Sequence, residues 1–330
     1  MVTKRKIGPF AVEAIGLGCM SLSHAYGTPP DRDHSARLLN RALDLGYDLI
    51  DTAALYGFGA NESLIGEAIG GRRGEYVLAS KCGMTGVDGK RVIDGRPETL
   101  RRTLEESLAR LRAETIDLYY LHRWDRNVPI EESVGAMAEF VREGKVRAIG
   151  LSEVSAATLR KAHAVHPIAA VQNEYSPWSR NVELGIVEAT RELGAALVAF
   201  SPTGRGFLAG AVKASEDLVQ GDLRRFMPRF QGDNLARNLA LYARFETLAA
   251  EAGCTPAQLS LAWVLSRGEH VVPIPGTTSL EHLEENFAAR GLEIDPGLFA
   301  EVDALITPET VAGARYPAAT QAEIDTEEFA

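Results

Sequence analysis

Apolar positions along the chain keep two rhythms that take turns. From about residue 31, stretches with apolar residues three and four apart give way within a few residues to short, nearly continuous apolar runs, the signature of helices alternating with buried strands. Residues 31–51 set the unit: Asp31 or Asp33 is placed to cap a helix, Leu39 and Leu43 share one of its faces, Gly46 ends it, and D-L-I-D follows as a strand. Residues 98–121 repeat it, with Leu100, Leu104, Leu108 and Leu111 as the inward stripe before I-D-L-Y-Y-L. In 131–151 Gly144 precedes V-R-A-I-G-L, and in 183–200 Gly194 precedes A-L-V-A-F. With I-G-L-G, Y-V-L-A, I-A-A-V-Q and V-V-P-I added, the strand candidates number eight.

Strands joined by crossover helices pair in parallel, and eight such units can close a sheet on itself. The expected fold is a single-domain (β/α)8 TIM barrel spanning 1–330, with an N-terminal hairpin cap over 1–14. A long loop (204–235) follows the seventh strand, and the C-terminal tail (307–330) reads either as a frayed terminus or as an ordered flap over the barrel mouth. The rival doubly wound fold draws only on G-L-G-C-M-S at 16–21, which lacks the third glycine of a dinucleotide fingerprint and runs into P-P rather than a helix.

Composition narrows the partners. A formal net charge of -10 argues against nucleic acid and anionic membrane, which attract a positive field. Cys19, Cys82 and Cys254 are scattered and odd in number, as suits a reducing cytosol, and the basic N-terminus has no apolar signal core behind it. The expectation is a cytoplasmic protein with no membrane partner. His163 and His166 share a helix without further ligands, so no metal is expected.

In a closed parallel barrel all strand C-termini open on one face, where chemistry is built. The first polar residues there are Asp51, Lys81 and His122, and in L-I-D-T-A-A-L-Y-G a phenol, Tyr56, follows Asp51 by five positions. A lysine in such a place needs an anion beside it, and Asp51 on the adjoining strand is at hand. Taken alone the pair reads equally as a salt bridge plugging the barrel. With Tyr56 and His122 added, the set suits a carbonyl oxygen that becomes an alkoxide: the ammonium is expected to lower the phenol pKa, Tyr56 to give the proton, and His122 to donate a hydrogen bond. No member is a reductant, so the electrons come from a cofactor such as a nicotinamide.

The stretches D-T-A-A-L-Y-G, L-A-S-K-C-G, I-D-L-Y-Y-L-H-R-W-D, E-G-K-V-R-A-I-G-L-S, V-Q-N-E-Y-S-P, F-S-P-T-G-R-G-F-L-A-G and I-P-G-T-T-S-L-E-H-L-E-E-N resemble, in order, those of the aldo-keto reductase superfamily. The resemblance covers nearly the whole chain. It implies reduction of aldehydes or ketones with NADPH, and Asp51, Tyr56, Lys81 and His122 as the catalytic tetrad with Tyr56 as the acid. It further implies that Ser152 and Gln172 hold the nicotinamide carboxamide, Phe200 stacks on its ring, and Ser201, Gly204 and Arg205 meet the pyrophosphate. Gly18, Met20 and Gly276 join this cofactor set. Thr277, Thr278 and His282 stand where relatives commonly place Lys or Arg for a 2'-phosphate, and Glu285 and Asn286 face adenine. The habit of the family, weighed against this missing cationic charge, still favours NADPH, with NADH possible. Glu153 stands where relatives often have asparagine.

Tyr26, Trp124 and Trp178 follow strands one, four and six and are expected, with Met20, to line a pocket for an apolar or cyclic small-molecule carbonyl substrate. Two other readings stay open: a barrel enzyme with Lys81 as Schiff-base nucleophile, and a coenzyme-binding redox sensor without turnover.

Overall fold

In a computed structural model that describes residues 3–87 and 90–329, the strand runs form one eight-stranded parallel sheet. Its members are β1 (Leu17–Gly18), β2 (Leu49–Asp51), β3 (Val77–Cys82), β4 (Ile116–Leu121), β5 (Val146–Ser152), β6 (Ile168–Glu174), β7 (Ala196–Phe200) and β8 (Val271–Pro273), adjacent in chain order. Backbone bonds from Gly16 N to Pro273 O (3.0 Å) and from Gly18 N to Pro275 O (3.1 Å) join the first strand to the last and close the barrel. The closure explains a glycine: a Cβ at Gly18 would sit 2.8 Å from the carbonyl oxygen of Ile274.

Why these residues make these elements is visible locally. Asp31 accepts a hydrogen bond from His34 N at 2.7 Å and caps the helix Arg32–Leu45, which Gly46 ends at φ 101°. Leu39, Leu43, Leu100, Leu104 and Leu111 are buried between helices and sheet, with Leu108 at the edge of the same layer. Inside the barrel Leu49, Leu118, Tyr120, Val198 and Val272 interleave with Ala79, Ala148, Ala170 and Ala196, large against small. The antiparallel hairpin Arg5–Ile7 and Phe10–Val12 packs Ile7 and Val12 against this interior.

A second hairpin was not expected. Met84–Val87 and Lys90–Ile93 pair antiparallel directly after β3. The stretch T-G-V-D-G-K-R-V-I carries an Asp-Gly step between β-branched residues, a short-range hairpin signal. The segment after β7 holds only short 3-10 turns before the helix Gly232–Glu251, so the loop ends a few residues earlier than the 204–235 expectation. It latches onto the β1 loop through a Tyr26–Asp222 bridge and a bond from Leu223 N to Ala25 O at 2.9 Å.

The tail packs over the C-terminal ends of β5 and β6. Arg315 pairs with Glu153 at 2.6 Å, both deeply buried, and Asp325 accepts from Ser155 N (3.0 Å) and Thr158 Oγ1 (2.6 Å). Glu153, which departs from the usual asparagine, is thus the anchor of the tail. Breaking a buried pair strands the remaining charge, at a cost of about 3–5 kcal/mol. Arg315→Met should therefore release the tail, read as loss of amide-exchange protection over 312–327; retained protection would show that the pair does not hold it. Among the described residues no helix is long and apolar enough to cross a membrane.

Candidate active site

The barrel mouth opens into a cavity of about 890 Å³. At its floor Lys81 Nζ, on β3, donates to Asp51 Oδ1 at 2.5 Å, to the Thr52 carbonyl at 2.8 Å and to Tyr56 Oη at 3.3 Å. Gln172 on β6 donates to the other Asp51 oxygen at 2.7 Å, so the carboxylate is held from both sides. His122 follows β4 directly, and its ring meets that of Tyr56 edge-on, centroids 5.8 Å apart. Asp51, Tyr56, Lys81 and His122 are all buried and brought together.

The loop carrying Tyr56 is pinned by bonds that sequence reasoning did not find. Thr52 Oγ1 donates to Asn61 Oδ1 at 2.6 Å, and Asn61 Nδ2 reaches back to the Cys19 carbonyl at 2.9 Å and Ser23 Oγ at 2.7 Å. Asn61 is fully buried and ties the β1 and β2 loops together.

Electrostatics follow from burial. Lys81 is held above the ordinary lysine range: burial opposes its charge, but Asp51 and Tyr56 outweigh it, so the ammonium persists. His122 lies well below the imidazole range, first through burial and then through Arg123 and Lys81, and is neutral; its Nδ1 has no partner among the described residues. The expectation of a lowered Tyr56 is corrected. Burial raises the phenol more than Lys81 lowers it, leaving Tyr56 above its ordinary value.

Of the residues expected around a cofactor, Gly18, Met20, Ser152, Gln172, Phe200, Ser201, Arg205, Gly276, Thr277, Thr278, His282, Glu285 and Asn286 line this cavity. Gly204 does not. It adopts φ 59°, and a Cβ there would strike Trp178 at 2.9 Å, so it packs against the protein rather than facing the cavity. Ser201 and Arg205 also take positive φ (49° and 59°), strain on the order of 1 kcal/mol each, of the kind that clusters at functional sites. Arg205 is bound to Glu174 and to Tyr316 Oη, both at 2.7 Å. At the far end Ser279 caps the helix Leu280–Ala288 beside Thr277 and Thr278, and His34 Nε2 lies 2.7 Å from the Thr278 carbonyl. Backbone-on-backbone packing at Gly18 and Gly276, where a Cβ would come within 2.9 Å of Gly18 O, leaves an unobstructed wall between the two ends. These residues fit an extended dinucleotide.

The expected substrate aromatics need correction. Tyr26 lines the cavity, beneath the Arg224 guanidinium at 4.9 Å, but Trp124 and Trp178 do not. Trp178 is buried and stacks on Phe207 at 4.2 Å in the core of the β7 loop. Trp124 donates to the Val128 carbonyl at 2.9 Å and lies under Arg126. Both follow strand ends, yet the turns after β4 and β6 direct them away from the cavity. In their place Arg91, Arg123, Arg224, Tyr316 and Pro317 come to the wall. Among the described residues no cluster of three or more His, Cys, Asp or Glu is placed to hold a metal.

Residues 14–307 match the model of the aldo/keto reductase family. The aldo-keto reductase yakc of Schizosaccharomyces pombe, described as an NADP(+) enzyme, is 43% identical over 323 residues, covering 96% of this chain and 95% of that protein. Among solved structures, glycerol dehydrogenase AKR11B4 from Gluconobacter oxydans superposes with TM-score 0.85 at 30% identity over 96% of this chain and 98% of that one. The holo form of aldo-keto reductase AKR11C1 from Bacillus halodurans gives TM-score 0.77 at 26% identity, over 96% and 99%. The chain belongs to the aldo/keto reductase family.

Proposed function

We propose that the protein reduces an aldehyde or ketone to the alcohol with NADPH, using Tyr56 as the proton donor. The observation that carries this reading is the Lys81 ammonium, 3.3 Å from the Tyr56 hydroxyl and 2.5 Å from Asp51, at the floor of a cavity suited to a dinucleotide. A bound nicotinamide supplies the hydride. The chain's own residues do the rest. Tyr56 is protonated at neutral pH and gives its proton to the carbonyl oxygen; Lys81, charged and fixed by Asp51, stabilises the phenolate left behind. His122, neutral and beside Tyr56, donates a hydrogen bond to the same oxygen. Ser152 and Gln172 orient the carboxamide, Phe200 stacks on the ring, and Arg205 with Ser201 meets the phosphates.

The charged state of Lys81 speaks against a Schiff-base role, which needs a free amine. For the coenzyme, His34 and His282 gather around Thr277 and Thr278, a setting that suits a 2'-phosphate. The test is turnover of simple aldehydes followed at the nicotinamide absorbance with each coenzyme in turn. A lower Michaelis constant for NADPH than for NADH is expected, and equal constants count against the assignment. Tight coenzyme binding with no turnover on any aldehyde would favour the redox-sensor reading.

A further inference from the structure

Four arginines reach the cavity wall: Arg91, Arg123, Arg205 and Arg224. Three have carboxylate partners. Arg205 pairs with Glu174 at 2.7 Å, Arg224 with Asp222 at 2.6 Å, and Arg91 with Glu323 of the tail. Arg123 differs. Among the described residues no carboxylate lies within salt-bridge distance of it, and its hydrogen bonds run from one nitrogen, Nη1, to neutral acceptors, the His122 carbonyl at 2.7 Å and Ser152 Oγ at 3.3 Å. A half-buried guanidinium with an unused edge is an incomplete arrangement, since its planar fork is shaped to receive a carboxylate or phosphate in two bonds.

Position decides what that edge could receive. Arg123 follows His122 in the chain, and the His122 ring is 5.8 Å from that of Tyr56. The arginine therefore stands at the reacting end of the cavity rather than at the adenine end, where Thr277, Thr278 and His282 lie. Its field is felt there: it contributes to keeping His122 neutral and opposes the rise of the Tyr56 phenol. The two tryptophans that would have made this end apolar are turned away from it.

We propose that the substrate of this site carries an anionic group, a carboxylate or phosphate, a short spacer away from its carbonyl, and that Arg123 receives that group. The proposal rests on the reading of Tyr56 as proton donor to a carbonyl. With the carbonyl oxygen at Tyr56 and the anion at Arg123, the substrate is held at both ends and its reacting carbon is fixed between them. Arg123 thus sets specificity, and the class is that of short oxo-acids, formyl carboxylates or phosphorylated aldehydes.

The test compares 4-carboxybenzaldehyde with its neutral methyl ester, and a phosphorylated short aldehyde with its unphosphorylated parent, each at saturating NADPH. For the wild type, kcat/KM should be at least about tenfold higher for the charged member of at least one pair, the pair showing which anion is preferred. Arg123→Leu should collapse that ratio towards one, mainly through KM, and Arg123→Lys should retain part of it. Melting temperatures of the variants check that they fold. A wild-type ratio of one or below in both pairs, or a ratio unchanged in Arg123→Leu, overturns the proposal while leaving carbonyl reduction standing. Calorimetric binding of the product alcohols to the coenzyme-loaded protein needs no turnover. Equal affinity for charged and neutral alcohols would overturn the anion preference on its own, whereas binding that favours the charged alcohol without turnover of any aldehyde would fault the catalytic reading instead.

Discussion

Tyr56→Phe should lower kcat by at least about a hundredfold and leave coenzyme affinity within about twofold of wild type, since a positioned general acid contributes that much or more to rate and little to binding. The substitution removes one oxygen from a ring that keeps its edge-on contact with His122, so the fold should be undisturbed. The raised phenol adds a pH signature. Reduction needs the protonated form, and because burial holds Tyr56 above its ordinary value of about 10, the reductive rate should persist to the alkaline edge of protein stability. The reverse oxidation needs the phenolate and should rise with pH over the same span. A reductive rate that falls through neutrality would assign the proton to another group.

Lys81→Met is expected to do double damage. The ammonium is fully buried and is the cation bonded to both Asp51 and Tyr56, so its loss leaves Asp51 charged without its ion-pair partner, at about 3–5 kcal/mol. Catalysis should fall at least as far as in Tyr56→Phe, because the cation that directly contacts the phenol and offsets the charge developing on it is gone. Denaturant unfolding and kcat should move together. Adding Asp51→Asn to the lysine variant should recover stability, by removing the stranded carboxylate, without recovering rate. Recovery of rate in the double variant would mean that the pair is only a structural plug.

Much of this was legible in the chain because the barrel is built from locally coded units. Eight apolar runs alternating with capped helices fix parallel strands, and parallel strands fix which residues share a rim; Asp51, Lys81 and His122 follow from that alone. What escaped depends on how loops fold back. His122 follows its strand directly, whereas Trp124 and Trp178 lie a few residues further along the loops after β4 and β6, where turn geometry, which hydrophobic rhythm does not encode, decides whether a side chain points inward. Arg91 comes from a hairpin that the Asp-Gly step announces, and Arg224 from a loop more than a hundred residues away, anchored by Asp222. Arg315 finds Glu153 across 162 positions, a pairing that neither residue signals by itself. The sign of the Tyr56 shift escaped as well, because it is a balance between burial and a neighbouring charge, and burial has no signature in a sequence read one residue at a time.

Single-turnover reduction of an aldehyde with NADPH deuterated at the transferable position of the nicotinamide, run on the wild type beside Tyr56→Phe, addresses the central claim most directly. Deuterium should appear on the carbinol carbon of the product, with a rate at least about a hundredfold lower in the variant at equal coenzyme occupancy. Label left on the coenzyme, or transfer at the same rate in both proteins, would contradict the account.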